Sequence, residues 1–174
     1  MSLPSWAQVS PGRRAHIERV VSLLDTWATA MGVSAAERER WTRAGWLHDS
    51  LRDAKLGDAT AHGPAAADRA AADGETDRGV LEAVRYHTIG YAGWDDVGRM
   101  LYLADFLEPG RGQDPPDRAQ LAQRVPRERD TVLRDVARHR IEWMLSSGWK
   151  LPRTTVDFWN SLVGRSDGLT AGRS

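Results

Sequence analysis

The histidines and one unusual aspartate are the residues of this 174-residue chain whose types and spacing could support chemistry. Four of the five histidines precede residue 90, one of them forms a His-Asp pair, and a further aspartate interrupts the apolar run MLYLADFL. The candidates, in chain order, are His16, His48, Asp49, His62, His87 and Asp105. A buried carboxylate is costly unless it is paired or binds a metal. Imidazole and carboxylate together suit Zn, Fe, Mn or Ni, so the pattern predicts a metal site.

Helical spacing indicates that three of these histidines point inward. His48 shares the apolar stripe of residues 44–51, and His87 continues the stripe of residues 80–84. His16 lies one turn before a valine of its own apolar stripe. Residues three or four apart share a helix face, so three such helices could bring their histidines to one interior point.

The elements that must position these side chains all read as helices, because no segment shows the sustained alternation of a strand. We therefore predict an all-α fold, a compact single-domain helical bundle over 1–164, followed by a disordered tail over 165–174. Caps, prolines and glycines give the expected boundaries. The predicted helices cover 11–31, 35 to about 52, 64–73, 77–87, 95 or 96 to 108, about 117–124, 126 or later to 147, and 153–164.

The composition limits the classes of function. The 24 basic and 24 acidic residues cancel, which gives no support for a nucleic-acid or membrane partner. The absence of cysteine excludes thiolate metal sites and cysteine nucleophiles. No stretch resembles a signal peptide or a membrane span, so a cytoplasmic location is expected.

Two local strings carry a resemblance to a known family. The order of the histidines and aspartates resembles that of the HD superfamily of metal-dependent phosphohydrolases. Within it, RYHTIGYAGW (85–94) and LYLADFLEPGR (101–111) resemble the YqeK family, and so does the stretch 141–163. Members of that family cleave diadenosine tetraphosphate symmetrically into two ADP. The resemblance covers roughly residues 13–163 and implies an HD-type helical fold and a nucleotide substrate.

The resemblance also implies roles for individual residues. One metal ion would be held by His16, His48, Asp49 and Asp105, and a second by His62 and His87, with Asp49 as the bridging and catalytic carboxylate. The cofactor would be a dinuclear divalent metal, with iron favoured and Mn, Zn, Ni or Co as alternatives. Hydrolysis would use a hydroxide that bridges the two ions. The expected substrate-binding residues are Arg52, Thr88, Arg111 and Arg85.

The chain departs from the family pattern near the expected substrate site. Tyr91 and Ala92 replace an Arg-Pro pair, Gly110 replaces an asparagine, and the segment between Asp49 and His62 is short. These differences bear on the nucleotide that is bound rather than on the metal ligands.

Other interpretations remain open at this point. The chain could be an HD-type nucleotidase or nucleoside-triphosphate hydrolase, because the metal core would be shared and only the pocket would differ. It could also be a non-catalytic nucleotide-binding regulatory module. Tyr86, Tyr91 and Trp94 are candidates for stacking on a base. The C-terminal tryptophans Trp143, Trp149 and Trp159 could pack in the core or form a homodimer contact.

Overall fold

Seven α-helices, without any β-strand, make up the residues that the computed structural model describes, which are 2–58, 60–111 and 117–164. The all-α prediction is therefore confirmed for this part of the chain. The predicted disordered tail, 165–174, lies outside the described residues, as do residues 112–116. The helices are α1 (Pro11–Ala30), α2 (Ala35–Leu47), α3 (His62–Ala72), α4 (Arg78–Tyr86), α5 (Asp96–Leu107), α6 (Arg118–Ser146) and α7 (Arg153–Val163).

Side-chain caps explain where most of the helices begin. The hydroxyl of Ser10 accepts a hydrogen bond from a backbone N–H in the first turn of α1, and Ser34 does the same for α2. The carboxylates of Asp77 and Asp95 cap α4 and α5 in the same way. Such side chains satisfy backbone donors that have no partner within the helix. α4 begins at Arg78, one residue after the predicted start at 77, because Asp77 is its cap.

α2 ends five residues earlier than the sequence predicted, and this change lies at the His-Asp pair. The backbone N–H groups of Ser50 and Arg52 bond to carbonyls three residues back, at Leu47 and Asp49. These tighter turns replace the helical bonds to the fourth residue back. The chain therefore leaves the helix at His48, which is fully buried.

α6 consists of two helical parts that meet at a kink, as the sequence predicted. Pro126 lies inside it, and the backbone departs from helical geometry two residues later, at Glu128. Proline has no N–H to give to the carbonyl four residues back, that of Ala122. The indole N–H of Trp27 donates to that carbonyl over 3.0 Å, so the bond lost within the helix is replaced from α1.

α5 forms the centre of the bundle. It contacts α1, α2, α4 and α6, and nine of its twelve residues are buried. Its apolar residues form much of the hydrophobic core, which explains why every residue of MLYLADFL except Asp105 is apolar. None of the described helices is long and apolar enough to cross a membrane.

Candidate metal centre

Six buried side chains from five parts of the chain meet inside the bundle. His16 comes from the second turn of α1, the His-Asp pair from the end of α2, and Asp105 from α5. α3 begins with His62, two residues earlier than predicted, and His87 directly follows α4. Each of the six is at most 6 % exposed. The structure thus brings together all six residues that the sequence singled out, and their role as ligands stays a prediction.

The first group consists of His16, His48 and Asp105. The Nε2 atoms of the two histidines are 3.3 Å apart. Oδ1 of Asp105 lies 3.2 Å from Nε2 of His16 and 4.0 Å from that of His48. Three potential donor atoms therefore face one small volume.

The second group consists of Asp49, His62 and His87. The two Nε2 atoms are 3.1 Å apart, and Oδ1 of Asp49 lies 3.1 Å from that of His62 and 3.3 Å from that of His87. The other oxygen of Asp49, Oδ2, lies 3.6 and 3.7 Å from Nε2 of His16 and His48. Asp49 therefore faces one group with each of its oxygens.

Backbone carbonyls orient two of the imidazole rings. Nδ1 of His48 donates to the carbonyl of Gly45 over 2.7 Å, and Nδ1 of His87 donates to that of Val84 over 2.8 Å. With the proton on Nδ1, the lone pair of Nε2 points into the centre. Burial lowers the pKa of His48 to about 4, so this ring is neutral at pH 7.

A buried carboxylate orients His16. Glu108 is 1 % exposed, and its Oε1 accepts from Nδ1 of His16 over 3.1 Å. Its other oxygen, Oε2, accepts from Nε of Arg19 over 2.5 Å and from the backbone N–H of Gly110 over 2.6 Å. Burial alone would raise the pKa of Glu108, but these hydrogen bonds outweigh burial and lower it. Glu108 is therefore an anion behind the ring of His16.

His62 is placed by a close approach of α3 to α4. A Cβ atom on the next residue, Gly63, would lie 2.8 and 3.0 Å from two backbone carbonyl oxygens of α4. Only glycine allows this contact, which brings His62 next to His87. Arg52 lies on the other side, with Nη1 3.2 Å from Nδ1 of His62. Nε2 of His62 faces Nε2 of His87 and Oδ1 of Asp49, each at 3.1 Å.

Arginines neutralise the two aspartates. Arg13 contacts Oδ2 of Asp49 at 2.7 Å, and Arg140 contacts Oδ2 of Asp105 at 2.7 Å. Arg111 binds both Oδ1 and the backbone carbonyl of Asp105. Burial would raise the pKa of Asp105, but attraction to the two arginines holds it well below its usual range. The aspartate is therefore ionised at neutral pH.

A cavity of about 370 Å³ opens onto this centre. Among the predicted substrate-binding residues, Arg52, Thr88 and Arg111 line it. The hydroxyl of Thr88 lies 3.3 Å from Nε2 of His87. Further lining residues that sequence reasoning did not select are Arg13, Arg118, Arg140, Phe106, Trp143 and Trp149.

The fourth predicted substrate-binding residue, Arg85, does not line this cavity. Its guanidinium forms an ion pair with Asp68 of α3 instead. The three aromatic residues proposed for base stacking also lie elsewhere. Tyr86 and Tyr91 stack on each other at 4.5 Å between ring centroids, and Trp94 is buried against Tyr102 and Phe158. An ion pair therefore accounts for Arg85, and ring packing accounts for the three aromatic side chains.

Comparison with known proteins supports the fold. The chain matches no protein-family model and none of the curated proteins. It is similar to a crystal structure from Clostridium acetobutylicum described as a predicted HD superfamily hydrolase involved in NAD metabolism, with a TM-score of 0.77 and 22 % sequence identity. The match covers 91 % of this chain and 92 % of that one. The chain has an HD-type helical fold. At this level of identity the similarity concerns architecture, and the function of this chain must be argued from its own residues.

Proposed function

We propose that this protein is a metal-dependent phosphohydrolase of the HD superfamily that acts on nucleotide phosphoanhydrides. The observation that carries the proposal is the position of Asp49 between two groups of buried donors. One of its oxygens faces His16 and His48, and the other faces His62 and His87. A carboxylate in this position could be shared by two ions, which is the arrangement that two-metal phosphoryl chemistry uses.

The donor set fits a divalent transition metal. Histidines and aspartates that are at most 6 % exposed would be expensive to bury unless they are paired or bind an ion. The Nε2 lone pair of His48 faces the first group, and that of His87 faces the second. Imidazole and carboxylate donors suit iron, manganese, zinc, nickel or cobalt, and iron is the metal we propose from the family resemblance.

His16, His48 and Asp105 would hold one ion, His62 and His87 the other, and Asp49 would serve both. The bound ions would polarise a phosphoryl oxygen and lower the pKa of the attacking water. The protein's own task would then be to position the substrate and neutralise its charge.

The arginines of the cavity supply that neutralisation. Arg13, Arg52, Arg111, Arg118 and Arg140 line it, against the two carboxylates Asp49 and Asp105. Guanidinium groups can bind phosphate oxygens bidentately. This excess of cationic side chains suits a ligand with several phosphates. Thr88 adds a hydroxyl at the edge of the second group.

Within this class we propose symmetrical cleavage of diadenosine tetraphosphate into two ADP. The support is the resemblance of residues 85–94 and 101–111 to the YqeK family, together with the arginine-lined cavity. The departures at Tyr91, Ala92 and Gly110 leave the metal ligands unchanged. None of these three residues lines the cavity.

Substrate hydrolysis tests the proposal directly. Protein loaded with iron or manganese should release ADP as the only product from diadenosine tetraphosphate, whereas asymmetric cleavage would give ATP and AMP. Asp49→Ala should abolish turnover, and Asp68→Ala, which removes an exposed carboxylate outside the cavity, should retain it. A metal-loaded protein that is inert with diadenosine tetraphosphate, ATP and nucleoside monophosphates would refute the enzyme function. Hydrolysis of a different nucleotide would refute only the substrate.

A further inference from the structure

Trp143 is unusually exposed for a tryptophan in this chain. It is 55 % exposed although it lines the cavity, and its indole meets that of Trp149 edge to face at 5.2 Å between ring centroids. Trp149 is half-buried and lines the same cavity. Two tryptophans thus form part of the wall of a cavity whose floor is a cluster of histidines and aspartates.

The end of α6 places the second tryptophan. Gly148 has a φ of +73°, and its N–H donates to the carbonyl of Leu145. The N–H of Trp149 donates to the carbonyl of Met144 over 2.9 Å. These are the two bonds of a Schellman motif, in which a left-handed residue turns the chain back over the last helical turn. The turn therefore folds Trp149 back toward Trp143.

The helix also relates the tryptophans to the metal centre. Trp143 lies three residues after Arg140, so the two share a face of α6 and are about 4.5 Å apart along its axis. Arg140 contacts Asp105 and lies 5.4 Å from the centroid of Phe106. Arg118 covers the same ring at 4.5 Å. The wall therefore runs from the aspartate through Phe106 and two guanidiniums to the indole pair.

This order of groups matches the order of groups in a nucleotide. Anionic phosphates would lie against the arginines and the centre, and a planar base would lie against the indoles. Aromatic side chains bind bases by stacking, which requires an accessible ring such as that of Trp143. A ligand made of phosphate alone would leave the indoles unused.

We propose that Trp143 and Trp149 form the subsite for a nucleobase of the substrate. The inference rests on the proposed function and adds to it the residues that recognise the base. It also distinguishes Trp143 from Leu145, which is 58 % exposed on the same turn but does not line the cavity. Residues two apart on a helix do not share a face.

Paired calorimetric titrations with ADP and inorganic pyrophosphate test the subsite, in the presence of manganese. ADP carries the base and is not consumed by the proposed reaction, whereas pyrophosphate lacks the base. Trp143→Ala should weaken ADP binding about 5- to 150-fold, the range for loss of one base–aromatic stack. Pyrophosphate affinity should stay within about twofold of wild type. Trp143→Phe should show a smaller loss.

Leu145→Ala is the matched control, because it removes exposed apolar area from the same turn outside the cavity. It should leave both affinities unchanged. Trp149→Ala should also weaken ADP binding more than pyrophosphate binding. A second variant shows whether the effect is confined to one substitution. An unchanged ADP affinity in both tryptophan variants, or an equal loss for ADP and pyrophosphate, would overturn the subsite.

Turnover separates this failure from failure of the proposed function. With diadenosine tetraphosphate, Trp143→Ala should raise KM and leave metal-dependent kcat close to wild type. Wild-type protein that hydrolyses nucleotides but binds ADP no tighter than pyrophosphate would overturn the subsite alone. Wild-type protein that binds neither probe and hydrolyses no nucleotide would overturn both.

Discussion

Replacing Glu108 by glutamine should weaken the binding of one metal ion and leave the affinity for the other nearly unchanged. The carboxylate receives four hydrogen bonds, from Nδ1 of His16, from Nε and Nη2 of Arg19, and from the N–H of Gly110. A glutamine amide offers one acceptor oxygen, and its NH₂ group would face N–H donors on the other side. His16 would lose either its acceptor or the negative charge behind its ring.

The structure limits the size of this effect. Partners of a ligating histidine typically contribute 10- to 100-fold in metal affinity, which corresponds to about 1.4–2.7 kcal/mol. The fold itself should tolerate the change, because the side chain of Arg19 is 37 % exposed and can be hydrated when its partner is lost. We therefore expect metal affinity to fall roughly 10- to 100-fold at the His16 group and by no more than about twofold at the Asp49–His62–His87 group.

Manganese titration by calorimetry, with both ions resolved, measures this difference. Glu75→Gln is the matched control, because Glu75 is also paired with an arginine, Arg43 at 3.0 Å, but does not line the cavity of the centre. The proposed role of Glu108 would be refuted if Glu108→Gln bound both ions with equally reduced affinity, or bound both as tightly as wild type.

Two further predictions concern stability. Gly63→Ala should lower the free energy of unfolding by about 1–3 kcal/mol, because its Cβ would collide with backbone carbonyls of α4. Urea denaturation would measure this, and Gly12→Ala, where nothing lies within 4 Å, should cost nothing; equal effects would contradict the close approach of α3 to α4. Asp77→Asn keeps an N-cap but loses the ion pair with Arg40, whose hydrogen bond lowers the pKa of Asp77 to about 2. This substitution should lower the free energy of unfolding by about 1–2 kcal/mol at pH 7. A carboxyl group whose pKa is lowered by folding stabilises the protein above its unfolded pKa, near 3.8, and loses that contribution as the pH falls through 2. The difference in unfolding free energy between Asp77→Asn and wild type should therefore shrink toward pH 2 in urea denaturation. A pH-independent difference would contradict a contribution from the ion pair.

The convergence of the six candidate metal ligands was largely predictable because these residues violate local rules. Asp105 interrupts an apolar helix, and the histidines continue apolar stripes, so burial and convergence could be inferred without coordinates. The pairing of ligands into two groups followed the family resemblance. Their distances depend on Gly63, whose role is visible only once α3 and α4 are packed together.

The arginines and aromatics of the cavity were harder to predict. Arg140 lies in the polar stretch DVARHRIEW, and nothing in the local pattern shows that it reaches Asp105 across the bundle. Arg85 was expected to bind substrate, but it forms an ion pair with Asp68 instead. Long flexible side chains take their direction from tertiary partners, so sequence spacing constrains them weakly.

The length of α2 was misjudged. The pattern favoured continuation of α2 through the His-Asp pair, but tight turns begin there and bury His48 and Asp49. This demand of tertiary packing overrides local propensity. The break suggested by Pro126 is present in α6, two residues later, at Glu128.

Metal stoichiometry tests the central claim most directly. Native mass spectrometry of protein loaded with iron or manganese should show two ions per chain. His48→Ala and His87→Ala should each retain one ion, and Asp49→Ala should weaken the binding of both ions. Circular dichroism of all three variants should show helix content close to wild type. A folded wild-type protein that binds no divalent ion, or an Asp49→Ala variant that still holds two ions as tightly as wild type, would contradict the account.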